Sequence, residues 1–328
     1  MGITIKDIAK LAGVSPATVS RVLANQSDFY SEKTAKKVRQ AAKKLGYQKN
    51  TNAVELVTQK SHVLAVIIST IQTNAADQII NGIQETAIKK NLDVIILYAG
   101  EKNADLQKRA LETVIERSVM GILLVAIDLD PQNDQLLKSA NIPFLFLSIG
   151  FLKNRFPFIS SDDFQVGYQA TDFLLRKGHT KIGFAAADPE TVIGQLRLAG
   201  YWKALSDHHI TPQLNWVYDG EFTYDDGLAA MAHYTKKTAL TAAVASSDLA
   251  AIGMLNQAQS QGLRIPEDFA VISIDGTFLC SIMRPQITSV TQSFHEMGVK
   301  GVETIVSQTR GQFQSRHTPI KITERQST

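Results

Sequence analysis

The order of apolar and polar positions divides the chain into three parts. Residues 1–46 contain short amphipathic helical stretches, residues 47–62 are too polar for a core element, and residues 63–328 alternate apolar runs with helical stretches. Apolar runs of about five to eight residues between helices are typical of strands buried on both faces of a parallel sheet. The pattern therefore predicts a small helical head, a linker and a large α/β core.

The predicted core repeats this alternation twice. The predicted strands lie at residues 63–68, 92–97, 120–127 and 143–147 in the first series, and at 181–186, 216–219, 242–245 and 269–274 in the second. Two consecutive series of this kind predict two doubly wound lobes. Ligands of such sheets bind beyond the carboxyl ends of the strands, so the cleft between the lobes is the candidate ligand site.

The head carries the signals of two helices joined by a tight turn. Thr4 and Asp7 form a capping-box pattern at the first helix, and Gly13 stands where that helix should end. Ser15 is an N-cap candidate for the second helix, with Pro16 at its first position. We expect the helices to pack through Ile8, Leu11, Val14, Val19, Val22 and Leu23. This arrangement is a helix-turn-helix.

Positive charge is concentrated in the same part of the chain. Residues 1–60 hold 11 Lys and Arg against 4 Asp and Glu, whereas the remaining residues hold 23 against 27. A third predicted helix over residues 32–45, between Ser31 and Gly46, contributes many of these cations. A solvated lysine-rich helix is the alternative explanation, but beside a helix-turn-helix the basic segment indicates binding to DNA phosphates.

Composition and motifs exclude several other classes. No run of 18 apolar residues and no signal-peptide pattern is present, so we expect a cytoplasmic protein without a membrane segment. Cys280 is the single cysteine, which excludes an intrachain disulfide. A transporter's solute-binding module would need a secretion signal. An enzyme would need a phosphate loop, a nucleophile elbow or metal-ligand spacing, and none is found; we expect no cofactor and no metal.

Three strings in the head resemble the N-terminus of the lactose/galactose repressor (LacI/GalR) family. They are Thr-Ile-Lys-Asp-Ile-Ala from Thr4, Ala-Gly-Val-Ser up to Ser15, and Thr-Val-Ser-Arg-Val-Leu from Thr18. The resemblance extends over essentially the whole chain. It implies an α/β fold with a three-helix helix-turn-helix head and a periplasmic-binding-protein-like core of two doubly wound parallel-sheet lobes.

The resemblance also implies a function and a domain plan. The implied function is a transcriptional regulator, a repressor of carbohydrate uptake or catabolism genes, controlled by a sugar in the inter-lobe cleft; the alternative responds to a nucleobase or a protein corepressor. The chain lacks the extra C-terminal helix of tetrameric members, so we expect a homodimer. The expected boundaries are 1–46 for the head, 47–62 for a linker with a hinge helix, and 63–328 for the core, with lobe one at about 63–160 and 292–320 and lobe two at about 161–291 and 321–328.

The second helix of the head is expected to enter the major groove of operator DNA. Arg21 can make paired hydrogen bonds to a guanine, Ala17 offers a methyl group to a thymine, and Pro16 supplies shape. In the hinge helix, Ala53 and Leu56 match the positions that enter the minor groove. Phosphate contacts are expected from Thr4, Ser15, Thr18, Ser20, Ser31, Thr34, Tyr47 and Asn50, although capping explains each hydroxyl equally well.

On the ligand side, the resemblance implies roles for three residues above all. Arg197 matches an arginine that clamps effector oxygens, Asp275 matches an effector-contacting aspartate, and Phe222 falls on an aromatic position that stacks on sugar faces. The alternative for Arg197 is a solvated arginine on a helix surface, and the alternative for Phe222 is a core residue. Further effector contacts are expected from Ser69, Ser148, Ser247, Asp248, Gln292 and Phe294. Whether the ligand releases the protein from DNA or recruits it stays open.

Overall fold

The chain forms two compact units in the computed structural model, Met1–Lys60 and Ser61–Thr328. The structure describes residues 3–47, 61–69, 74–100, 102–117, 119–151, 155–307 and 313–328. Three expected DNA-binding residues, Asn50, Ala53 and Leu56, and with them the expected hinge helix, lie outside these ranges. No helix in the described part of the chain has the length and apolar character needed to cross a bilayer.

Three helices form the head: α1 (Ile5–Ala12), α2 (Pro16–Leu23) and α3 (Glu32–Leu45), with a 3-10 turn at Ser27–Phe29. The predicted caps are confirmed. The Asp7 carboxylate accepts a hydrogen bond of 2.9 Å from the Thr4 N–H, and the Ser15 hydroxyl accepts one of 3.1 Å from the Thr18 N–H. Gly13 and Gly46 end α1 and α3 with φ values of 68° and 65°, which favour glycine.

The apolar core of the head brings the three helices together. Ile8, Val19 and Val22 are fully buried there as predicted, together with Val38 from α3. The prediction that Leu11 belongs to this core is wrong, because its side chain is 46% exposed. The short helix α1 buries only Ile8 and Ala9, and Leu11 lies roughly 110° around the helix from the centre of that face.

The first lobe is built on a six-stranded sheet in which every neighbouring pair of strands is parallel. The strand order is β11-β5-β4-β3-β1-β2. The strands are β1 (Val63–Ile68), β2 (Asp93–Tyr98), β3 (Gly121–Val125), β4 (Phe144–Leu147), β5 (Phe158–Ser160) and β11 (Arg316–His317). The helices of this lobe are α4 (Asn74–Lys89), α5 (Ala104–Glu116), α6 (Asp134–Ser139) and α12 (Phe294–Val306).

The second lobe repeats the design, with strand order β12-β10-β9-β8-β6-β7. Its edge strand β12 runs antiparallel to β10, because it arrives directly from the first lobe and not through a helical crossover. The strands are β6 (Ile182–Ala187), β7 (Val217–Asp219), β8 (Ala242–Ala245), β9 (Ala270–Asp275), β10 (Thr288–Gln292) and β12 (Ile320–Thr323). The helices are α7 (Asp163–Arg176), α8 (Val192–Asp207), α9 (Tyr224–Lys237), α10 (Asp248–Ser260) and α11 (Leu279–Ile282).

The chain passes between the lobes three times, always at the same edge of the two sheets. It leaves the first sheet after β5 for α7, returns from β10 to α12, and leaves again from β11 for β12. The strands β5 and β11 lie at one edge of the first sheet, and β10 and β12 lie at one edge of the second. The opposite edges, formed by β2 and β7, carry no crossing.

Close backbone contact joins the helices that flank the sheets, and reciprocal glycines make it possible. A Cβ atom on Gly167 of α7 would lie 2.0 Å from the carbonyl oxygen of Arg197 in α8, and one on Gly200 would lie 2.1 Å from that of Phe164. Gly82 of α4 and Gly298 of α12 allow the same close approach between their two helices, and so do Gly227 of α9 and Gly253 of α10. The α7–α8 contact thus fixes the position of the Arg197 backbone relative to α7.

We therefore expect Gly167→Ala to destabilise the core, although alanine is the better helix former by about 1 kcal/mol. The added methyl group forces α7 and α8 apart, an overpacking cost of about 1–3 kcal/mol or more in the free energy of unfolding. Urea unfolding of the full chain measures it. The exposed Gln165→Ala in the same helix is the matched control; a Gly167→Ala protein as stable as this control would disprove the close contact.

Candidate DNA interface and effector site

One face of α2 is exposed to solvent. Pro16, Ala17, Ser20 and Arg21 are all exposed, as a helix that reads DNA requires. The guanidinium carbon of Arg21 lies 5.0 Å from the centroid of the Phe29 ring, within the distance of a cation–π contact. The 3-10 turn after α2 thus orients the arginine. Sequence reasoning missed Phe29; the available signal was an aromatic residue directly after a polar stretch between α2 and α3.

Five of the head hydroxyls expected at phosphates take part in caps, those of Thr4, Ser15, Thr18, Ser31 and Thr34. The hydroxyls of Ser15 and Thr18 lie 2.9 Å apart, as do those of Ser31 and Thr34, and each serine also accepts a backbone N–H at the start of its helix. The Thr4 hydroxyl donates to Asp7, and Tyr47 packs against the head core. Local capping accounts for these contacts, so phosphate binding by these residues stays a prediction.

In the core, left-handed backbone conformations mark the carboxyl ends of strands in both lobes. Non-glycine residues rarely adopt positive φ, and such residues cluster at functional sites. Five of them lie in or just after a strand: Ala126 (φ 51°), Ser148 (φ 63°), Ala186 (φ 63°), Phe222 (φ 63°) and Asp275 (φ 111°). Two of the expected contacts at strand ends, Ser69 after β1 and Ser148 after β4, are partly exposed.

Contacts across the lobes show that these strand ends face each other. The Lys102 ammonium, after β2, lies 2.9 Å from the carboxylate of Asp188, which follows β6. Ile193, in the first turn of α8, packs against the apolar cluster of the first lobe. The expected inter-lobe cleft therefore lies between the two rows of strand ends.

Arg197 is held in a fixed position at this cleft. Its Nε donates a 2.8 Å hydrogen bond to the Asp163 carboxylate, and its Nη1 donates another of 2.8 Å to the Ser246 carbonyl oxygen. The guanidinium carbon stands 5.8 Å from the centroid of the Phe222 ring. Arg197 is only 6% exposed, so the alternative of a solvated helix arginine is wrong.

Asp275 ends β9 beside this arginine. Its Oδ1 accepts a 2.8 Å hydrogen bond from the side-chain amide of Gln292, which ends β10. Burial raises the pKa of the Asp275 carboxyl to about 8, although the nearby Arg197 opposes the shift. The carboxyl is therefore largely protonated at neutral pH and can both donate and accept hydrogen bonds.

Other expected effector residues have internal partners. Asp248 is buried, and its carboxylate accepts hydrogen bonds from the Ser273 hydroxyl at 2.7 Å and from the Thr277 N–H at 2.6 Å. Ser247 caps α10 and donates a 2.6 Å bond to the Phe222 carbonyl oxygen. Phe294 is 2% exposed in the core of the first lobe, which explains it without a ligand.

Sequence reasoning missed the partners that hold Arg197. Asp163 is the first residue of α7, directly after an aspartate that caps the helix. The sequence signal was an acidic pair at a helix start, which indicates capping and dipole effects rather than an ion pair. Ser246 contributes only its backbone carbonyl, for which no residue type is diagnostic. Among the described residues no group of three His, Cys, Asp or Glu side chains could hold a metal.

One chain that carries both a helix-turn-helix unit and a two-lobed α/β core is typical of a DNA-binding regulator. The model for bacterial regulatory proteins of the lacI family matches residues 4–50, and the model for a periplasmic binding protein-like domain matches residues 171–328. Catabolite control protein A of Priestia megaterium is 30% identical to the chain, over 91% of the chain and 90% of that protein. The chain belongs to the lacI family.

Solved structures are similar over the full chain. A lac repressor dimer bound to operator and the anti-inducer ONPF is 26% identical, with a TM-score of 0.87 over 100% of this chain and 99% of that one. A complex of the transcriptional regulator CelR with cellobiose is 28% identical, with a TM-score of 0.74 over 99% and 100%. The chain is thus a transcriptional regulator that binds DNA, not an enzyme, with the fold expected from its sequence.

The raised pKa of Asp275 predicts how stability depends on pH. The folded carboxyl titrates at about 8, against 3.8 for its ordinary value, so it binds its proton more tightly than the unfolded one. The free energy of unfolding of the wild type, relative to Asp275→Asn, should therefore fall as pH rises through this window and level off above about 8. Urea unfolding of both proteins at several pH values measures this difference in the free energy of unfolding. The other titratable groups contribute equally to both proteins, so their contributions cancel. A pH-independent difference would contradict the assignment.

Proposed function

We propose that this regulator is a homodimer whose operator affinity is controlled by a neutral saccharide bound between the lobes. The observation that carries the proposal is the fixed guanidinium of Arg197 at the cleft, with the Phe222 ring and the Asp275 carboxyl beside it. Arg197 and Asp275 offer donors and acceptors for adjacent hydroxyls, and Phe222 offers an apolar face. The proposal places the protein in the cytoplasm with its DNA.

The charge of the site favours a neutral ligand over a sugar phosphate. The Asp163 carboxylate, 2.8 Å from Arg197, balances the charge of the guanidinium. Burial keeps Asp275 largely uncharged at neutral pH. Among the described residues around Arg197, a phosphate dianion would find no unbalanced cation, whereas sugar hydroxyls need only hydrogen bonds. The similarity to a regulator solved with cellobiose supports the same class of ligand.

On DNA, the proposal assigns direct base contacts to α2. Two identical heads require two-fold related half-sites in adjacent major grooves, so we expect a pseudo-palindromic operator. Arg21 reads a guanine, Ala17 contacts a thymine methyl group and Pro16 shapes the approach. The similarity to a repressor dimer solved on its operator supports this arrangement. Leu56 and Ala53 remain the proposed minor-groove residues of the hinge.

Arg21→Ala should lose operator discrimination while the core stays folded. Loss of a paired arginine–guanine contact costs about 1–3 kcal/mol, roughly a 5- to 150-fold loss in the ratio of operator to random-DNA affinity. Anisotropy titrations with both duplexes at one salt concentration measure this ratio. Lys43→Ala, an exposed cation of α3, is the control. If Arg21→Ala kept the wild-type ratio, the assignment of the recognition helix would be wrong.

A thermal-shift screen identifies the ligand class, with neutral saccharides including cellobiose, sugar phosphates and nucleobases as separate arms. Calorimetric titration of the best saccharide then tests the site. Arg197→Lys keeps a cation near Asp163 but removes the planar fork, so it should weaken saccharide binding at least about tenfold while operator affinity without ligand persists. Unchanged saccharide affinity in Arg197→Lys, or stabilisation by nucleobases alone, would refute the proposal.

A further inference from the structure

Lys102 joins the two lobes through ion pairs near the edge of the core opposite the chain crossings. The Lys102 ammonium lies 2.9 Å from a carboxylate oxygen of Asp188 and 3.8 Å from one of Glu221. Lys102 follows β2 in the first lobe, whereas Asp188 follows β6 and Glu221 follows β7 in the second. Strands β2 and β7 form the edges opposite the crossings, and β6 lies next to β7.

This position gives the pair a long lever arm. Three to five strand spacings separate the crossing strands of the two sheets from β2 and β6, the strands that precede the pair, and a spacing of about 4.8 Å between neighbours puts the pair roughly 14–24 Å from the crossings. A rotation of the lobes by about 10° around the crossings, a modest hinge movement, would shift the pair by about 2.5–4 Å. Such a shift exceeds the tolerance of a hydrogen bond of normal length, so we expect the pair to break when the lobes open.

The acceptor side of the pair is built into the second lobe. Asp188 is 7% exposed, and its other carboxylate oxygen accepts a 2.9 Å hydrogen bond from the Glu190 N–H. Its carbonyl oxygen accepts a 2.9 Å bond from the Thr191 hydroxyl, which in turn caps α8. Because α8 carries Arg197, the acceptor and the effector site belong to one rigid element.

The donor side is presented by a turn with left-handed residues. Gly100 has φ 70° and Lys102 has φ 46°, so the chain turns sharply between β2 and α5. The hydrogen bond to Asp188 raises the pKa of Lys102. Burial would raise the pKa of Asp188, yet the hydrogen bonds from Lys102 and Glu190 hold it below its ordinary value. Both partners are therefore charged at neutral pH.

We propose that Lys102 and Asp188 form a clasp that holds the lobes closed over the effector site. The crossings act as the hinge and the clasp acts at the opposite edge. A contact present in only one arrangement shifts the population toward that arrangement. The clasp thus favours the closed state before any ligand binds. A role of the clasp in the control of operator binding by the effector rests on the proposed function.

A distance measurement between spin labels on the two lobes tests the clasp without any ligand. Glu116→Cys at the end of α5 and Lys236→Cys in α9 are exposed labelling sites on either side of the clasp. Cys280 is fully buried and remains unlabelled. The full chain with these two labels is compared with the same chain carrying Lys102→Met or Asp188→Asn. Lys108→Met, which removes an ion pair within α5 of the first lobe, is the matched control.

We expect the wild type and the Lys108→Met control to give one dominant short distance. Lys102→Met and Asp188→Asn should each increase a longer-distance population severalfold, and high salt should move the wild type the same way because it screens the exposed lysine. A wild-type distribution in Lys102→Met overturns the clasp. So does a response to Lys102→Met without one to Asp188→Asn. No saccharide is present, so failure of the proposed effector leaves this outcome unaffected.

Discussion

The backbone contact between α7 and α8 is the constraint on which the ligand site depends. Glycines at 167 and 200 let the two helices approach until backbone touches backbone, and this distance brings the Arg197 guanidinium onto the Asp163 carboxylate. The resulting buried pair does two things at once. It fixes the direction of the arginine fork, and it cancels the charge, so that hydrogen bonding rather than net charge selects the ligand.

Local signals made much of the fold predictable. Caps such as Ser15 and Ser31 bond to a residue three positions away, and strands such as β1 and β3 are continuous apolar runs because both of their faces are buried. Caps and buried strands can therefore be recognised from the local sequence. The strands β5 and β11 have three and two residues and show no pattern. Strand β10 contains Thr288 and Ser289, whose polar groups can be buried because they have hydrogen-bond partners. The Thr288 N–H donates to the Ser327 hydroxyl, and the Arg325 guanidinium donates to the Ser289 hydroxyl. Such partners come from distant parts of the chain.

The candidate site was predictable in part for the same reason. Arg197 and Asp275 follow from resemblance and from their place at a helix and a strand end. The pairing of Asp163 with Arg197 is hidden from the sequence because the two residues are 34 positions apart. For Phe294 the resemblance predicted an effector contact, but the side chain is buried in the core of the first lobe. In the proposed account, the crossings at one edge of the sheets and the ion pair near the other let the core open and close, which supplies the two-state element that effector control requires.

The central claim is that a saccharide in the cleft and operator DNA bind to one coupled protein. The most direct measurement is reciprocal: operator affinity with and without saturating saccharide, and saccharide affinity with and without saturating operator, at one salt concentration. Linkage requires the two ratios to be equal, with a coupling of about 1–3 kcal/mol. We expect equal ratios that differ clearly from one. Ratios of one would show that the saccharide does not control DNA binding and would contradict the account.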